Sequence, residues 1–221
     1  QGEDMTEGAL FVEQGTRIEP KTLGILTSVG VSHPLVRRAP VVGVIITGDE
    51  VVEPHVTPAR HQIRNANGVQ LVSQLSSAGV TPRYYGITSD DPTALRAVFE
   101  RAHAECDGML FSGGVSMGDF DFVPGIMEEK GYDILFHKIA AKPGRPTTFA
   151  VAGDKWIFGM PGNPVTSFVV FEMMVRPYLY AMLGTRLPCD VTSLLGSDVH
   201  IKKSVRTIWI PCRVDGKGAV H

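Results

Sequence analysis

Three basic side chains lie close together in the chain: Lys138, Lys142 and Arg145, the last within Lys142-Pro143-Gly144-Arg145-Pro146. A stiff Pro-Gly-Arg-Pro turn next to two lysines makes a compact cationic patch able to hold phosphate or another oxyanion. If the strand that carries Lys138 runs on to Lys142, side-chain alternation puts both ammonium groups on one face. Ordinary surface charge is the plainer reading of either lysine alone. Three carboxylates, Glu50, Asp90 and Asp121, belong to three separate polar stretches. Grouped around a phosphate site, such carboxylates hold Mg²⁺ through oxygen or water ligands. The ion would neutralise a phosphoanhydride and help it cleave. Capping is the plainer role: Asp91 before Pro92 reads as N-cap followed by the first helical residue, which leaves Asp90 for chemistry.

The run Ser112-Gly113-Gly114-Val115-Ser116-Met117-Gly118 adds neutral donors. Its glycines permit positive φ and close approach, so several N–H groups can face an anion, and Ser112 and Ser116 add hydroxyls. No Gly-Lys-Ser/Thr follows, so it is not a Walker loop. A plain tight turn is the competing reading. Asn163 before Pro164 caps a helix whose N-terminus also attracts anions.

These residues need a frame, and the middle of the chain supplies one. Val41–Thr47 is a continuous β-branched run, as in a strand buried on both faces. A helix is expected over Asn67–Ala78 with Val69, Leu71, Val72 and Leu75 on one stripe. Strands follow at Pro82–Thr88, Asp107–Phe111 and Ile134–Ala140, with helices from Asp91 to about Ala104 and around Val123–Lys130. Thr147–Val151 and Lys155–Phe158 flank a turn at Gly153-Asp154 and read as a hairpin. A long apolar helix then runs towards Leu183, and Pro177 inside it should kink or end it. Strands alternating with helices predict an α/β fold, a mostly parallel sheet with helices on both faces and one antiparallel strand from the hairpin. Ligands of such sheets bind outside the carboxyl ends of the strands. Thr47-Gly48-Asp49-Glu50, Ser89-Asp90-Asp91, the 112–121 loop, the 142–146 turn and Pro161-Gly162-Asn163-Pro164 all fall there, as one composite site.

Residues 1–39 are polar and glycine-punctuated, with Leu10–Ile18 the one strand-like run, and 186–221 return to short strand-like pieces such as Val205–Val214. The expected organisation is a β-rich segment of a preceding domain at 1–39, an α/β domain at 40–185 and the start of a C-terminal β-domain at 186–221. Neither flank is large enough for its own core, so each must pack on the middle, pair with a second subunit or belong to a larger domain; a dimer and a longer parent protein are expected.

Bulk properties narrow the function. The 221 residues are 43% hydrophobic and 20% charged with a net charge of -2, ordinary for a globular protein. That charge offers no general attraction to nucleic acid or to an anionic membrane, so neither is an expected partner. No apolar run reaches membrane-spanning length. The acidic, polar start shows no signal peptide. Cys106, Cys189 and Cys212 form no C-x-x-C pair, which fits a reducing cytoplasm, and Cys106 reads as a small buried hydrophobe. His55 and His61 flank a proline-containing loop and read as solvated.

The matching strings are ITGDE (46–50), IRNANG (63–68), TSDDP (88–92), FSGGVSMGDFDFV (111–123), KIAAKPGRP (138–146) and GMPGNPVTSF (159–168). In order and spacing they resemble the molybdopterin molybdenumtransferase family, which includes the E domain of gephyrin. Residues 2–31 resemble the family's segment before the sheet domain, and the tail from Leu187 the start of its β-domain. The resemblance implies a cytoplasmic dimer that binds adenylylated molybdopterin and molybdate and cleaves the adenylate with a divalent metal, Mg²⁺, releasing molybdenum cofactor. It carries functional positions over to Glu50, Asp90, Asp121, Lys138, Lys142, Pro161 and Pro164. Two positions depart from the family pattern: Arg145 replaces a lysine of its molybdate-binding turn, and Thr166 replaces a serine. Both keep the charge or the hydroxyl. Molybdopterin adenylyltransferases share this type of sheet domain and are the alternative enzyme reading; a non-catalytic gephyrin-like scaffold is the alternative of another class.

Overall fold

The computed structural model describes residues 6–114, 122–185, 192–201 and 203–221. The α/β frame comprises β1 (Val41–Thr47), β2 (Val51–Val52), β3 (Ile63–Arg64), α1 (Asn67–Ser77), β4 (Thr81–Thr88), α2 (Pro92–Glu105), β5 (Gly108–Ser112), α3 (Phe122–Glu129) and β6 (Asp133–His137). It continues with β7 (Ala141–Lys142), β8 (Thr148–Ala152), β9 (Lys155–Met160), α4 (Pro164–Val170), a π-helical turn at Phe171–Val175 and α5 (Arg176–Leu183). The main sheet has the order β4-β1-β5-β9-β8-β6. β1 is parallel to β4 and β5, and β5 to β9; β8 alone runs against its neighbours, so β6 points the same way as β9. The carboxyl ends of β4, β1, β5, β9 and β6 therefore share one edge.

Alternation along the strands feeds two cores. Val42, Val44 and Ile46 of β1 pack with Leu71 and Leu75 of α1 and with Phe171, Val175 and Leu179 of the long helix. Ile45 points the other way, to Leu95 and Phe99 of α2 and to Ile126 and Met127 of α3. Helices thus cover both faces, as expected. The stripe on α1 is shifted by one position: Gly68, Leu71 and Leu75 are buried, while Val69 is 65% exposed. Gly68 begins the stripe because a Cβ there would lie 3.0 Å from Tyr84 and 2.8 Å from Asn65.

Asp91 and Asn163 are N-caps, accepting from the N–H groups of Ala94 at 2.8 Å and Thr166 at 3.1 Å. The helix does not stop at Pro177. It widens into the π turn immediately before, where the missing N–H and the ring bulk of proline are accommodated. It ends at Leu183, with Gly184 in the left-handed region.

Leu10–Ile18 forms no strand. Gly15 turns there with φ +87, and its carbonyl accepts from Thr185 Oγ1 at 3.0 Å, which ties the segment to the end of α5. The following residues, Pro20–Ser28, are helical. Of Val205–Val214, only β10 (Thr207–Ile208) is a strand. Cys106 is buried, and His55 and His61 are exposed.

Arg38 clasps Asp107 through both guanidinium nitrogens, at 2.6 and 2.9 Å, and Asp107 also accepts from the Val41 N–H at 2.7 Å. The Arg38 hydrogen bonds hold its carboxyl below the usual aspartate range, against the opposing effect of partial burial. A lowered native pKa means that the unfolded chain binds more protons in acid. This contribution is present above the unfolded pKa and lost as pH falls through the native one. Asp107→Asn should therefore lower the urea midpoint at pH 7 and flatten its decline in acid; parallel declines for the two proteins would contradict this.

Candidate functional site

The chain reverses direction across the sheet between β1 and β5: from β1 it moves outward to β4, then returns to β5 on the other side of β1. Such a switch point opens a crevice at the carboxyl edge. Gly113 and Gly114 sit in it, with φ +94 and +57. A Cβ on Gly113 would come within 2.5 Å of the Thr47 carbonyl oxygen, and one on Gly114 within 2.8 Å of Thr47 Oγ1. Glycine is thus required twice, for backbone sign and for close approach to β1. Thr47 is buried, and its Oγ1 has no protein partner among the described residues.

On the β1 side lie the acidic loops. Gly48 is buried with φ +133, and its N–H donates to the Thr88 carbonyl at 3.3 Å, joining the ends of β1 and β4. The Glu50 carboxylate folds back over Gly48, one oxygen 2.8 Å from where a Cβ would stand. Asp49 Oδ1 accepts from the Asp90 N–H at 3.3 Å. Asp49, Glu50 and Asp90 therefore come from two adjoining strand ends. Ser116, Gly118 and Asp121 lie outside the described residues. Among the described residues no three Asp, Glu, His or Cys side chains gather into a closed cage. Mg²⁺ does not need one: one or two carboxylates, waters and substrate phosphates suffice, and the exposed Asp49 and Glu50 with the half-buried Asp90 suit that donor set.

The middle of the edge is cross-linked by a residue to which sequence reasoning gave no role. Asn67, at the start of α1 and 6% exposed, donates through Nδ2 to Ser112 Oγ at 2.7 Å and to the Gly162 carbonyl at 2.8 Å. One buried amide thus joins the glycine loop after β5 to the Pro161-Gly162-Asn163-Pro164 loop after β9. The string IRNANG held this residue, but nothing local shows that its amide reaches two distant loops. Pro161 is buried, Pro164 is the first residue of α4, and Thr166 bonds Asn163 Oδ1 through its N–H and also through its hydroxyl, at 3.2 Å.

The cationic turn joins β6 to β8 at the far end of the same edge. Here the structure corrects the expected strand. β6 stops at His137, because Lys138 has φ +78 and cannot continue a ladder. Alternation from Lys138 to Lys142 is broken, and Lys142 belongs to the separate β7. The turn is closed by its own hydrogen bonds instead. The Lys138 N–H donates to the Thr147 carbonyl and the Ile139 N–H to the Arg145 carbonyl, both at 2.9 Å. Thr147 Oγ1 donates to the Gly144 carbonyl at 2.6 Å. Lys138, Lys142 and Arg145 are all exposed on this closed turn. From β1 to β6 is four strand steps, about 19 Å of edge at ~4.8 Å per step. The edge carries acidic loops at one end, the Gly113-Gly114 and Pro161–Pro164 loops in the middle and the cationic turn at the other, and it suits an elongated anionic ligand.

Comparisons with known proteins identify the family and the fold. Residues 43–181 match the family model described as the probable molybdopterin binding domain. The chain is 39% identical over 190 residues to the molybdopterin molybdenumtransferase of Bacillus subtilis (strain 168), spanning 86% of this chain and 44% of that protein. To the protein of the same name from Staphylococcus aureus (strain MRSA252) it is 34% identical over 184 residues, 83% of this chain and 44% of that one. It therefore spans less than half the length of these curated relatives. Among solved structures it is similar to a molybdopterin biosynthesis moeA protein from Pyrococcus horikoshii OT3, with a TM-score of 0.78 at 27% identity over 99% of this chain and 52% of that one. The chain belongs to the molybdopterin-binding domain family.

Proposed function

We propose that the chain is the substrate-binding part of a molybdopterin molybdenumtransferase, which inserts molybdate-derived molybdenum into adenylylated molybdopterin with metal-dependent cleavage of the adenylate. The observation that carries this reading is the placing of acidic loops and a cationic turn at opposite ends of one sheet edge, on either side of the Gly113-Gly114 crevice. In this reading Lys138, Lys142 and Arg145 hold the oxyanion. The Gly114 N–H and the α4 N-terminus behind Asn163 and Thr166 face the phosphates, while the Gly113 N–H is held by the Met160 carbonyl at 3.4 Å, with Ser112, Pro161, Gly162 and Pro164 shaping that surface. Thr47 and Gly48 floor the crevice, with Asp49 beside it. Glu50, Asp90 and Asp121 would hold Mg²⁺, which when bound supplies charge neutralisation at the phosphoanhydride. The name shared by the relatives supports the activity, and their greater length supports a longer parent protein.

The division at 39/40 and 185/186, a homodimer built with the flanking segments, and a cytoplasmic location belong to the same proposal. No helix among the described residues is long and apolar enough to cross a membrane. The test is cleavage of adenylylated molybdopterin by the full-length protein with and without molybdate. Molybdate-dependent release of AMP that a chelator stops supports the reading. Cleavage indifferent to molybdate would turn it down.

A further inference from the structure

The peptide of Lys142 is held from outside the α/β frame. Thr207 N–H donates to the Ala140 carbonyl and Trp209 N–H to the Lys142 carbonyl, both at 2.9 Å. These bonds belong to a parallel ladder that sets Thr207 beside Ala141 and Ile208 beside Lys142. Trp209 also walls an apolar cavity of about 230 Å³ with Ile139, Pro143, Val170 and Met173, directly under the turn. Lys138 and Arg145 are fixed by the turn's own hydrogen bonds; Lys142 is tied to a segment more than sixty residues later.

We propose that Thr207–Trp209 is a positioning segment for Lys142, so that oxyanion binding depends on the docking of this later stretch of chain. This rests on the reading of Lys142 as an oxyanion ligand. An exposed lysine has a long flexible stem, and the placing of its charge depends on how firmly its backbone is held. The tail bonds the carbonyls at 140 and 142 and so clamps the backbone on both sides of residue 141. Among the described residues its backbone hydrogen bonds go to the cationic turn and not to Gly113, Gly114 or the α4 N-terminus, so nucleotide binding should not need it.

Calorimetric titration of molybdate, and separately of AMP, into variants of the 221-residue chain tests the inference. Thr207→Pro removes the N–H that bonds Ala140 and should weaken molybdate binding roughly tenfold while leaving AMP affinity alone. Thr207→Ala keeps that N–H and should lose far less. If Thr207→Pro binds molybdate normally while Lys142→Ala does not, the positioning role is wrong and the oxyanion reading stands. If Lys142→Ala also binds normally, the oxyanion reading itself fails. Should Thr207→Pro not fold, Trp209→Ala takes its place, since it opens one wall of the cavity without removing a ladder N–H. Weaker molybdate binding at an unchanged unfolding midpoint supports the inference; unchanged molybdate binding overturns it.

Discussion

Glu50→Gln and Asp121→Asn, made in the full-length protein, should each slow adenylate cleavage by about two orders of magnitude while largely keeping pterin binding. The Glu50 carboxylate is exposed and folded over Gly48 rather than engaged in the core. Replacing it by an isosteric amide removes the charge a divalent ion needs and leaves the crevice its shape. An interaction made mainly at the reacting phosphate lowers the rate more than it lowers affinity. A hundredfold loss corresponds to about 2.7 kcal/mol of transition-state stabilisation, a modest share for one metal-linked contact. Rates measured across a Mg²⁺ series separate the outcomes. A variant rescued by high Mg²⁺ has lost metal affinity, as expected. Normal rates in both variants, or wild-type activity in chelator, would remove the metal role from these carboxylates.

The second large effect concerns the frame. Gly108→Ala should destabilise the chain by at least ~3 kcal/mol, above the usual cost of one extra methyl group in a core. Gly108 pairs with Trp156 on the adjoining strand β9, and Trp156 is wholly buried. A Cβ at 108 would lie 2.1–2.4 Å from atoms of the indole ring. The indole is boxed in by Phe158 and Tyr178, with ring centroids 5.9 and 5.2 Å away. A flexible side chain could turn aside, but a packed bicyclic ring cannot without moving its neighbours. A protein worth 5–15 kcal/mol in all would lose a large part of its stability. Urea denaturation reads the change directly. Adding Trp156→Leu should recover part of the loss, because the two substitutions share one space and are not additive. A shift below about 1 kcal/mol in the single variant would show that β5 and β9 can separate, contrary to this packing.

What the sequence revealed, and what it hid, follows from the range of the interactions. Val41–Thr47 was legible because a strand buried on both faces must be apolar throughout. Asp91-Pro92 and Asn163-Pro164 were legible because capping is settled within four residues. The ends of β1, β4, β5 and β9 could be placed on one edge because parallel crossovers leave little choice of topology. Lys138 was misread because nothing in its side chain announces a left-handed backbone; the strand's end is set by hydrogen bonds from Ile139 to Arg145 and from Lys138 to Thr147. Leu10–Ile18 has strand composition but pairs with no strand among the described residues, and Gly15 bonds Thr185 at the end of α5 instead. Asn67 and Thr207 act at ranges of 45 and 67 residues, through an amide and a peptide N–H that any sequence pattern would pass over. The acidic and basic loops of the candidate site were therefore visible in composition, while the long-range bonds of Asn67 and Thr207 were not.

On the proposed reading, oxyanion and nucleotide are held at separate places along one edge, with Lys142 serving the oxyanion. A dianion such as molybdate needs at least two nearby cations, because one charge cannot offset the desolvation of two. The N-terminus of α4 supplies only about half a charge. Titrating molybdate and AMP in turn into wild type and Lys142→Ala by calorimetry tests this most directly. Molybdate affinity should fall sharply, AMP affinity change little, tungstate compete at the same place and the unfolding midpoint stay put. Equal losses for both ligands would assign Lys142 to the phosphates, and an unchanged molybdate affinity would place the oxyanion site elsewhere on the protein.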